Sequence, residues 1–379
     1  MGQATNIIHS LSGLAEKDWN QFNIAGNPFL EYQFLSQLEQ CHCLDGHGWY
    51  PSHVILEQDG VLAGVLPLYL KSNSVGEFVF DWNWAEAYHR AGRSYYPKLV
   101  SAVPFTPVTG PRFLIRNDCD NANEVRNQLQ TAARNYAEQS GISGIHYLFP
   151  SEPDRRQLGK QGLLLRCACQ YYWYNYNYES FDHFLTGLNA KKRKQIKRER
   201  NHILDSGIDI EILHGNDITS DHWQDYYRFY ASTFSRKWGF PRFTPDFFRS
   251  LSRLMADKTI LIMARYNNEY IAGAFAMHGE DTLYGRHWGC SSQYRFLHFE
   301  LCYYQTIEYC ISHGLQKLDA GVQGEHKISR GFVPETTWSA HWIADDQFRP
   351  AIEHFLSEEK YYVKQYMHEL SKHLAYKSG

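Results

Sequence analysis

The chain has 379 residues, of which 43% are hydrophobic and 21% charged, and its formal net charge is −3 at pH 7. This length predicts two domains with substantial cores, and the near-neutral charge argues against a surface that is basic overall, as in a general nucleic-acid-binding protein. No stretch approaches the ~20 consecutive apolar residues of a membrane-spanning helix, and no basic segment followed by an apolar core opens the chain, so we expect neither a membrane span nor a secretory signal.

The eight cysteines are scattered and include two Cys-x-Cys pairs, Cys41/Cys43 and Cys167/Cys169. With no export signal expected, reduced thiols and a cytoplasmic location are the favoured interpretation. His47 follows the first pair, but Cys-x-Cys is tighter than the usual zinc spacing. We therefore expect no metal site.

The first strong pattern along the chain is a hairpin at 53–70, where two β-rich runs flank Asp59-Gly60. A strand in GEFVFDW (76–82), a helix near 121–140 that stops at Gly141, and a strand in IHYLF (145–149) are predicted to follow it. This order of elements is the reference for the second half.

The second half repeats that order. A hairpin at 260–279 turns at Asn267-Asn268, and after it we expect a strand in TLYGRHWG (282–289), a helix near 297–313 that stops at Gly314, and a strand in QKLDA (316–320). VLAGV of the first hairpin matches YIAGA of the second, so that Gly64 and Gly273 correspond. The repeat predicts an internal duplication, with an N-terminal unit over 1–175 and a C-terminal unit over 176–379, in an α+β fold.

A basic segment lies between the halves, with seven Lys or Arg in the ten residues 191–200. On a helical wheel its apolar residues share one side, which predicts a docked helix with a cationic outer face; they are Leu185, Leu188, Ile196 and Ile203. The outer face is either a solvated surface or a phosphate-binding face for a nucleotide-bearing cofactor, tRNA or anionic lipid. A second amphipathic helix at 346–376 indicates a core or dimer contact, and the sequence does not predict the oligomeric state.

The usual catalytic signatures are absent from the sequence: there is no GxxxxGK[ST], GxSxG, HExxH or GxGxxG that opens a helix. Hydride transfer, P-loop phosphoryl transfer and zinc hydrolysis therefore have no support. Three charged and aromatic stretches of the second half remain as candidates for chemistry.

The first of these stretches is the strand at 282–289. Strand alternation places Tyr284, Arg286 and Trp288 on one face, and His287 with two glycines on the other. A glycine in a strand lets a ligand or another backbone approach closely. The second stretch is the start of the following helix, where Glu300 either interacts with the helix dipole or serves as an acid or base.

The third stretch is the loop GVQGEHKISRGFVP at 321–334. Lys327 and Arg330 offer positive charge there, and glycines such as Gly324 expose backbone N–H groups. Such a loop suits a phosphate or a developing oxyanion, although a solvated turn that merely needs glycine is the alternative.

These residues, together with FDWNWAEAY (80–88), YYPKLVSAVPFTPVTGPRFL (95–114) and LHFELCYYQTIEYC (297–310), resemble the FemAB-like branch of the GNAT superfamily, the predicted N-acyltransferases of peptidoglycan biosynthesis and recognition. The resemblance covers nearly the whole chain. It implies tandem GNAT-like units, each with a mixed, mostly antiparallel sheet flanked by helices. It also implies transfer of an acyl or aminoacyl group to an amine acceptor.

In that fold the acyl arm of the donor enters a gap between two splayed strands, which correspond here to 282–290 and 316–321. The donor is implied to be an acyl-CoA or an aminoacyl-tRNA that acts as co-substrate and is not tightly bound. The chain has YRFLHFEL where ordinary GNAT enzymes carry the glycine-rich turn that holds the coenzyme A pyrophosphate. Coenzyme A is therefore in doubt, and tRNA bound by the basic helix at 191–200 is the rival.

The resemblance also implies roles for single residues. Lys327 would stabilise charge on the transferring carbonyl, and the donor would contact Tyr284, Arg286, Gly324 and Arg330. Candidates for a general base are His287, Glu300, Glu325 and His326.

The N-terminal unit has no counterpart of GEHK and is expected to shape the groove for a small-molecule or cell-wall-precursor amine. The candidate acceptor-binding residues are Asp81, Trp82, Trp84 and Arg112, for which core packing or a salt bridge are alternatives. A non-catalytic protein that binds cell-wall precursors or anionic ligands on the same fold is the alternative function.

Overall fold

The computed structural model describes residues 2–235, 239–322 and 324–377. Helices and strands alternate, as predicted. The strands are β1 Gln3–Ile8, β2 Trp49–Pro51, β3 His53–Gln58, β4 Val61–Leu66, β5 Tyr69–Lys71, β6 Lys98–Ser101, β7 Leu114–Ile115, β8 Gly144–Leu148, β9 Leu164–Tyr174, β10 Asp209–His214, β11 Thr259–Tyr266, β12 Glu269–His278, β13 Thr282–Cys290, β14 Lys317–Asp319 and β15 Val333–Ile343.

The helices contain an insertion that the sequence does not predict, a π-helical segment at Glu300–Tyr304 between α10 and α11. The α-helices are α1 Glu16–Trp19, α2 Tyr32–Gln40, α3 Trp82–Arg90, α4 Ala122–Gln139, α5 Glu152–Lys160, α6 Phe181–Gly187, α7 Ala190–Asp205, α8 Ser220–Ser235, α9 Pro245–Leu254, α10 Leu297–Phe299, α11 Gln305–Ser312 and α12 Arg349–Ser371. Within the described residues, no helix has an apolar run long enough to cross a bilayer.

The chain divides into two compact units, Met1–Ala168 with Thr336–Lys364, and Cys169–Glu335 with Gln365–Gly379. This differs from a division after residue 175 in one main respect, since the sequence places 336–364 in the second unit. Strand pairing is the physical reason, because the last five residues of β15 pair antiparallel with β8 of the first unit.

The first unit holds two sheets. One has the order β1-β3-β4-β7 and is antiparallel, and the other runs β15-β8-β6-β5-β2 with a single parallel pair, β6 with β8. The second unit has the order β10-β11-β12-β13-β14-β9, in which only β13 and β14 are parallel. Mixed, mostly antiparallel sheets flanked by helices are the α+β class that the sequence predicts.

Both predicted hairpins form, β3–β4 around Asp59-Gly60 and β11–β12 around Asn267-Asn268. The matched glycines lie in the second strand of each hairpin, beneath a helix. A Cβ on Gly64 would lie 2.8 Å from Val125 of α4, and one on Gly273 would lie 2.9 Å from Tyr226 of α8. Each glycine therefore lets a helix pack closely on its sheet.

One predicted strand is wrong. GEFVFDW forms no strand; residues 76–81 are irregular and α3 begins at Trp82. The run of Phe and Val has strand propensity, but Glu77 within it forms a buried ion pair with Lys98. This tertiary contact overrides the local propensity for a strand.

Candidate active site in the second unit

Strands β13 and β14 pair over only three residues, Thr282–Tyr284 with Lys317–Asp319. Beyond that point β13 stays paired with β12 as far as Cys290, whereas the chain after Asp319 leaves the sheet. The pairing with β12 shifts register around Arg286, which is the extra residue of a β-bulge. The two parallel strands thus separate, and a gap opens between Gly285 and Ala320.

A cavity of about 80 Å³ occupies this gap. Its walls include residues 285–288 of β13, Ala320 after β14, residues 274–276 of β12, and four side chains of the following helix, His298, Cys302, Tyr303 and Thr306. The π-helical segment carries two of these four, and such segments shift the face that a helix presents. Cys302, Tyr303 and Thr306 are not among the predicted site residues, because regular helical spacing does not predict this shift.

Lys327 lies in a short 3-10 helix, Glu325–Arg330, and is 1% exposed. Its ammonium group donates to the carbonyl oxygens of Ala320 at 2.8 Å and Gly321 at 2.6 Å, beside the wall of the cavity. Burial lowers the pKa of Lys327 to about 8, against a partial opposing effect of Asp319. The Lys327 ammonium is therefore buried and held by the backbone that follows β14.

Gly324 begins this 3-10 helix with a φ of 109°. A Cβ at Gly324 would lie 2.4 Å from the ring of His326, so the turn requires glycine at this position. Its predicted contact with a donor stays a prediction.

Arg330 is 3% exposed and its guanidinium group is occupied by protein groups. It donates to both carboxylate oxygens of Glu199 in α7, at 3.0 and 2.9 Å, and to the hydroxyl oxygen of Tyr304 at 3.0 Å. It also lies 3.5 Å from the centre of the Phe299 ring. Arg330 therefore holds the loop against the neighbouring helices. The expectation that its charge is available to bind the acyl donor is corrected by these contacts.

Arg286 is likewise paired, through its guanidinium, with Asp319 at 2.9 and 3.2 Å. Burial alone would raise the pKa of Asp319, but Arg286 and the backbone N–H of Gly321 bring this pKa below its ordinary value. Tyr284 is buried, and the Arg286 guanidinium lies 5.2 Å from its ring centre. This ion pair spans the point where β13 and β14 separate.

His287 points its ring at Tyr230 and Phe243, with centroid distances of 5.1 and 5.2 Å. Burial and then Arg286 lower the pKa of His287 to about 3. Among the described residues, its Nε2 is buried and has no hydrogen-bond partner. His287 is therefore a neutral imidazole at the cavity.

His326 is exposed, and its Nε2 lies 2.9 Å from the hydroxyl oxygen of Tyr303. Burial of the ring face, followed by Arg330 and Lys327, lowers the pKa of His326. His298, which is not among the predicted site residues, lies against Trp288 in the cavity wall, and burial lowers its pKa to about 4.

The two carboxylates proposed as bases lie away from the cavity lining. Glu300 is 3% exposed and accepts from Arg200 at 3.2 Å and Gln305 at 2.8 Å, and burial raises its pKa. Glu325 is exposed and accepts from the hydroxyl of Tyr366 at 2.7 Å. Their contacts favour structural roles.

The four acceptor candidates of the first unit do not share one environment. Asp81 is buried and bonded to Lys98 and Tyr95, and Trp84 is 4% exposed. Trp82 is 56% exposed and lies in α3 rather than in a strand.

Arg112, the fourth candidate, is 2% exposed. It donates to the carbonyl oxygens of Gly110 at 3.1 Å and Val108 at 3.2 Å, and burial lowers its pKa to about 10. The Arg112 guanidinium therefore stabilises the turn that contains it. The contacts of both Arg112 and Asp81 favour structural roles over acceptor binding.

The basic helix α7 has the predicted two faces. Ile196 and Ile203 are buried, and Glu199 on the same side holds Arg330. The exposed cations of the outer face are Lys191, Lys194, Lys197 and Arg198.

The mixed sheet with its separated parallel pair is the GNAT-like arrangement that the sequence resemblance implies. FemX resembles the chain with a TM-score of 0.54 and 12% identity over 93% of this chain and 100% of FemX. The structure of L-PGS from Bacillus licheniformis resembles the chain with a TM-score of 0.52 and 13% identity, over 88% of this chain and 97% of L-PGS. A conserved protein of unknown function from Bacteroides thetaiotaomicron resembles it with a TM-score of 0.50 and 10% identity, over 89% of this chain and 99% of that protein. A search of curated proteins found no match.

The sequence profile of the FemAB-like family, described as peptidoglycan biosynthesis/recognition, matches residues 10–378. The chain belongs to this family. This confirms the predicted family and α+β tandem GNAT-like fold, and with them a transferase enzyme whose function is of the acyl- or aminoacyl-transfer type in peptidoglycan biosynthesis.

Proposed function

We propose that the protein is an N-acyltransferase that moves an acyl or aminoacyl group from an activated donor to the amine of a small molecule or cell-wall precursor. The observation that carries the proposal is the gap between β13 and β14, with the buried Lys327 ammonium held at its wall by two carbonyl oxygens. The donor carbonyl enters this gap. A cytoplasmic location remains a prediction.

In the proposed reaction the acceptor nitrogen attacks the donor carbonyl carbon and a tetrahedral oxyanion forms. The C–S bond of a thioester or the C–O bond of an aminoacyl ester then breaks while the new C–N bond remains. The leaving thiolate or alkoxide takes up the proton that the amine gives up, so that the donor leaves as thiol or hydroxyl. Among the described residues, Lys327 uses two of its three N–H bonds on Ala320 and Gly321, so that the third is left for the oxyanion.

The amine must also lose a proton. Burial raises the pKa of Tyr303, so its hydroxyl stays neutral, and it lies 2.9 Å from His326 Nε2. In the proposed relay Tyr303 takes the proton of the amine as it passes its own proton to a neutral His326. Tyr303 lines the cavity and His326 is exposed, so the pair leads from the gap to solvent. We favour this pair as the proton path over Glu300 and Glu325. His287 is too weak a base for this step, because its pKa is about 3, and it is better suited to positioning the substrate.

The transfer itself is tested by a donor screen. Wild-type protein is incubated with acyl-CoA thioesters or charged tRNAs and an amine library that includes cell-wall precursors, and products are read by mass shift. A product that gains the acyl mass supports the proposal. If no donor is used while a precursor still binds in calorimetry, the alternative of a binding protein replaces it.

Two ionisations predict a bell-shaped pH dependence of kcat/KM. Lys327 must be charged, so activity falls as the pH rises through about 8. His326 must be neutral, and because its pKa is below the ordinary value of ~6.5, the acid limb lies below that pH. In Lys327→Arg the guanidinium stays charged, so any residual activity loses the alkaline limb; retention of that limb would contradict the assignment.

The basic helix supports a large polyanionic donor. We expect Lys191→Gln/Lys194→Gln/Lys197→Gln/Arg198→Gln to weaken tRNA binding and to reduce the slope of log K against log salt by roughly 3, at ~0.7–0.9 per phosphate contact. Filter binding across a salt series measures this. The matched control is Arg249→Gln/Arg253→Gln on the exposed side of α9; equal losses in both variants, or turnover with coenzyme A thioesters alone, would remove tRNA as donor.

A further inference from the structure

The short 3-10 helix that carries Lys327 is held at both ends by tyrosine side chains from one segment of the chain, residues 365–377. We infer that Tyr366 and Tyr376 of this segment are positioning residues for the transfer, which act through Lys327 by fixing the two ends of that helix. The inference rests on the proposed function and adds to it two residues whose hydroxyl groups the chemical step requires.

Tyr366 of α12 holds the first end of the helix. Its hydroxyl donates to Oε1 of Glu325, the first residue of the 3-10 helix, at 2.7 Å. A carboxylate only accepts hydrogen bonds, so this bond uses the one proton of the Tyr366 hydroxyl. The start of the helix that carries Lys327 is thereby tied to α12.

A second tyrosine connects this contact with the Lys327 ammonium. Tyr171 of β9 is 4% exposed, and its hydroxyl oxygen lies 2.9 Å from that of Tyr366. Because the proton of Tyr366 is already used on Glu325, Tyr171 is the donor of this bond. The Lys327 ammonium lies 5.7 Å from the centre of the Tyr171 ring, within the range of a cation–π contact. The Tyr366 hydroxyl thus orients both the helix and the ring beside the ammonium.

Tyr376 holds the second end of the helix. Its hydroxyl donates to the carbonyl oxygen of Gly331, the residue that caps the 3-10 helix, at 2.7 Å. Tyr376 is itself fixed, because the backbone on either side of it is hydrogen-bonded to the junction between α6 and α7, at 2.9 and 3.1 Å. The helix is therefore anchored where it begins and where it ends.

These anchors matter because the position of the Lys327 ammonium depends on the path of the helix. The carbonyl oxygens of Ala320 and Gly321 that hold the ammonium belong to the chain directly after β14. We expect release of either end of the helix to shift the Lys327 backbone relative to those carbonyl groups. A displacement of about 1 Å in a reacting group can cost about 100-fold in rate.

The first test is a double-mutant cycle. Tyr366→Phe and Tyr376→Phe, which each remove only a hydroxyl group, should each lower kcat by about 10-fold and change KM by less than about 2-fold. In the Lys327→Ala background neither substitution should lower kcat further, because the residue through which both act is gone. Tyr361→Phe is the matched control, since Tyr361 is an exposed tyrosine of the same helix α12.

A conservative variant separates the hydrogen bond from the charge of its acceptor. Glu325→Gln keeps an acceptor oxygen for Tyr366 and should retain at least about half of the wild-type kcat. Glu325→Ala removes that oxygen and should lose about as much kcat as Tyr366→Phe. Equal losses in Glu325→Gln and Glu325→Ala would refute the role given to Tyr366.

The second test does not depend on turnover. Hydrogen–deuterium exchange is followed by mass spectrometry in peptides that cover 325–332, where the N–H groups of Lys327 and Phe332 are bonded to backbone oxygens of the same loop. A helix that has lost one anchor opens more often, so Tyr366→Phe and Tyr376→Phe should each raise the exchange rate there by at least ~5-fold. Exchange in β11 and β12 should stay at the wild-type rate.

The outcomes separate the two proposals. Absence of turnover with every donor would refute the proposed function, and the exchange rates alone would then decide whether the two tyrosines fix the helix. Exchange at 325–332 that equals wild type in both variants would refute the inference. Losses in kcat that multiply with the loss of Lys327→Ala, or that Tyr361→Phe reproduces, would refute it as well.

Discussion

Lys327→Ala should lower kcat/KM of the transfer by about 10²–10³-fold and leave the fold intact. A preorganised donor to an oxyanion contributes about 3 kcal/mol of transition-state stabilisation in a site from which water is excluded. Lys327 meets that description, because it is 1% exposed and its ammonium is fixed by Ala320 and Gly321. The loss should appear in kcat more than in KM, since the oxyanion exists only in the transition state.

The measurement is steady-state kinetics by mass-shift assay on wild type, Lys327→Ala and a matched lysine variant. Lys317→Ala is the control, since Lys317 lies on β14 of the same unit with its ammonium 3.7 Å from the ring centre of Tyr172. Circular dichroism checks that each variant is folded. A Lys327→Ala enzyme that retains more than about a third of wild-type kcat would contradict the role given to this lysine.

Arg330→Ala should destabilise the protein by about 3–5 kcal/mol, which is the largest effect on stability that we expect. Removing one partner of a buried ion pair leaves the other charge without compensation. Glu199 is 2% exposed and would lose both hydrogen bonds from Arg330, retaining Gln195 and Tyr304. The free energy of unfolding is measured by urea titration.

Two variants give this stability prediction its controls. Arg249→Ala removes the exposed partner of Asp246 and should cost less than about 0.5 kcal/mol. The double variant Arg330→Leu/Glu199→Leu should recover much of the loss, because a buried pair replaced as a whole by apolar side chains costs little. Equal stability of Arg330→Ala and wild type would show that the pair does not fasten the loop.

The periodic parts of the fold were accessible from the sequence, and for identifiable reasons. Asp59-Gly60 and Asn267-Asn268 require backbone conformations that those residues tolerate, and all four have positive φ here. Gly141 and Gly314 end their helices with φ of 63° and 68°. Local chemistry determines such features.

Partners distant in sequence were not accessible. Arg330 and Glu199 are 131 residues apart, and no local pattern indicates that the loop cation belongs to α7. The same applies to Asp81, whose carboxylate is held by Lys98, and to 336–364, whose strand pairs with β8. A charged residue on a glycine-rich loop therefore predicts a site, but which of its charges are free depends on tertiary contacts.

Entry of the acyl group between β13 and β14 can be tested with Gly285→Val, a substitution that blocks this path. A Cβ at Gly285 would lie 3.9 Å from Ala320, an ordinary contact, so the side chain of a valine there would occupy the space between the two strands. Gly13→Val is the control, since a Cβ there meets nothing within 4 Å. We expect Gly285→Val to keep its urea midpoint and to lose at least ~100-fold in transfer rate. A Gly285→Val enzyme that transfers at the rate of Gly13→Val would show that the reaction takes place elsewhere.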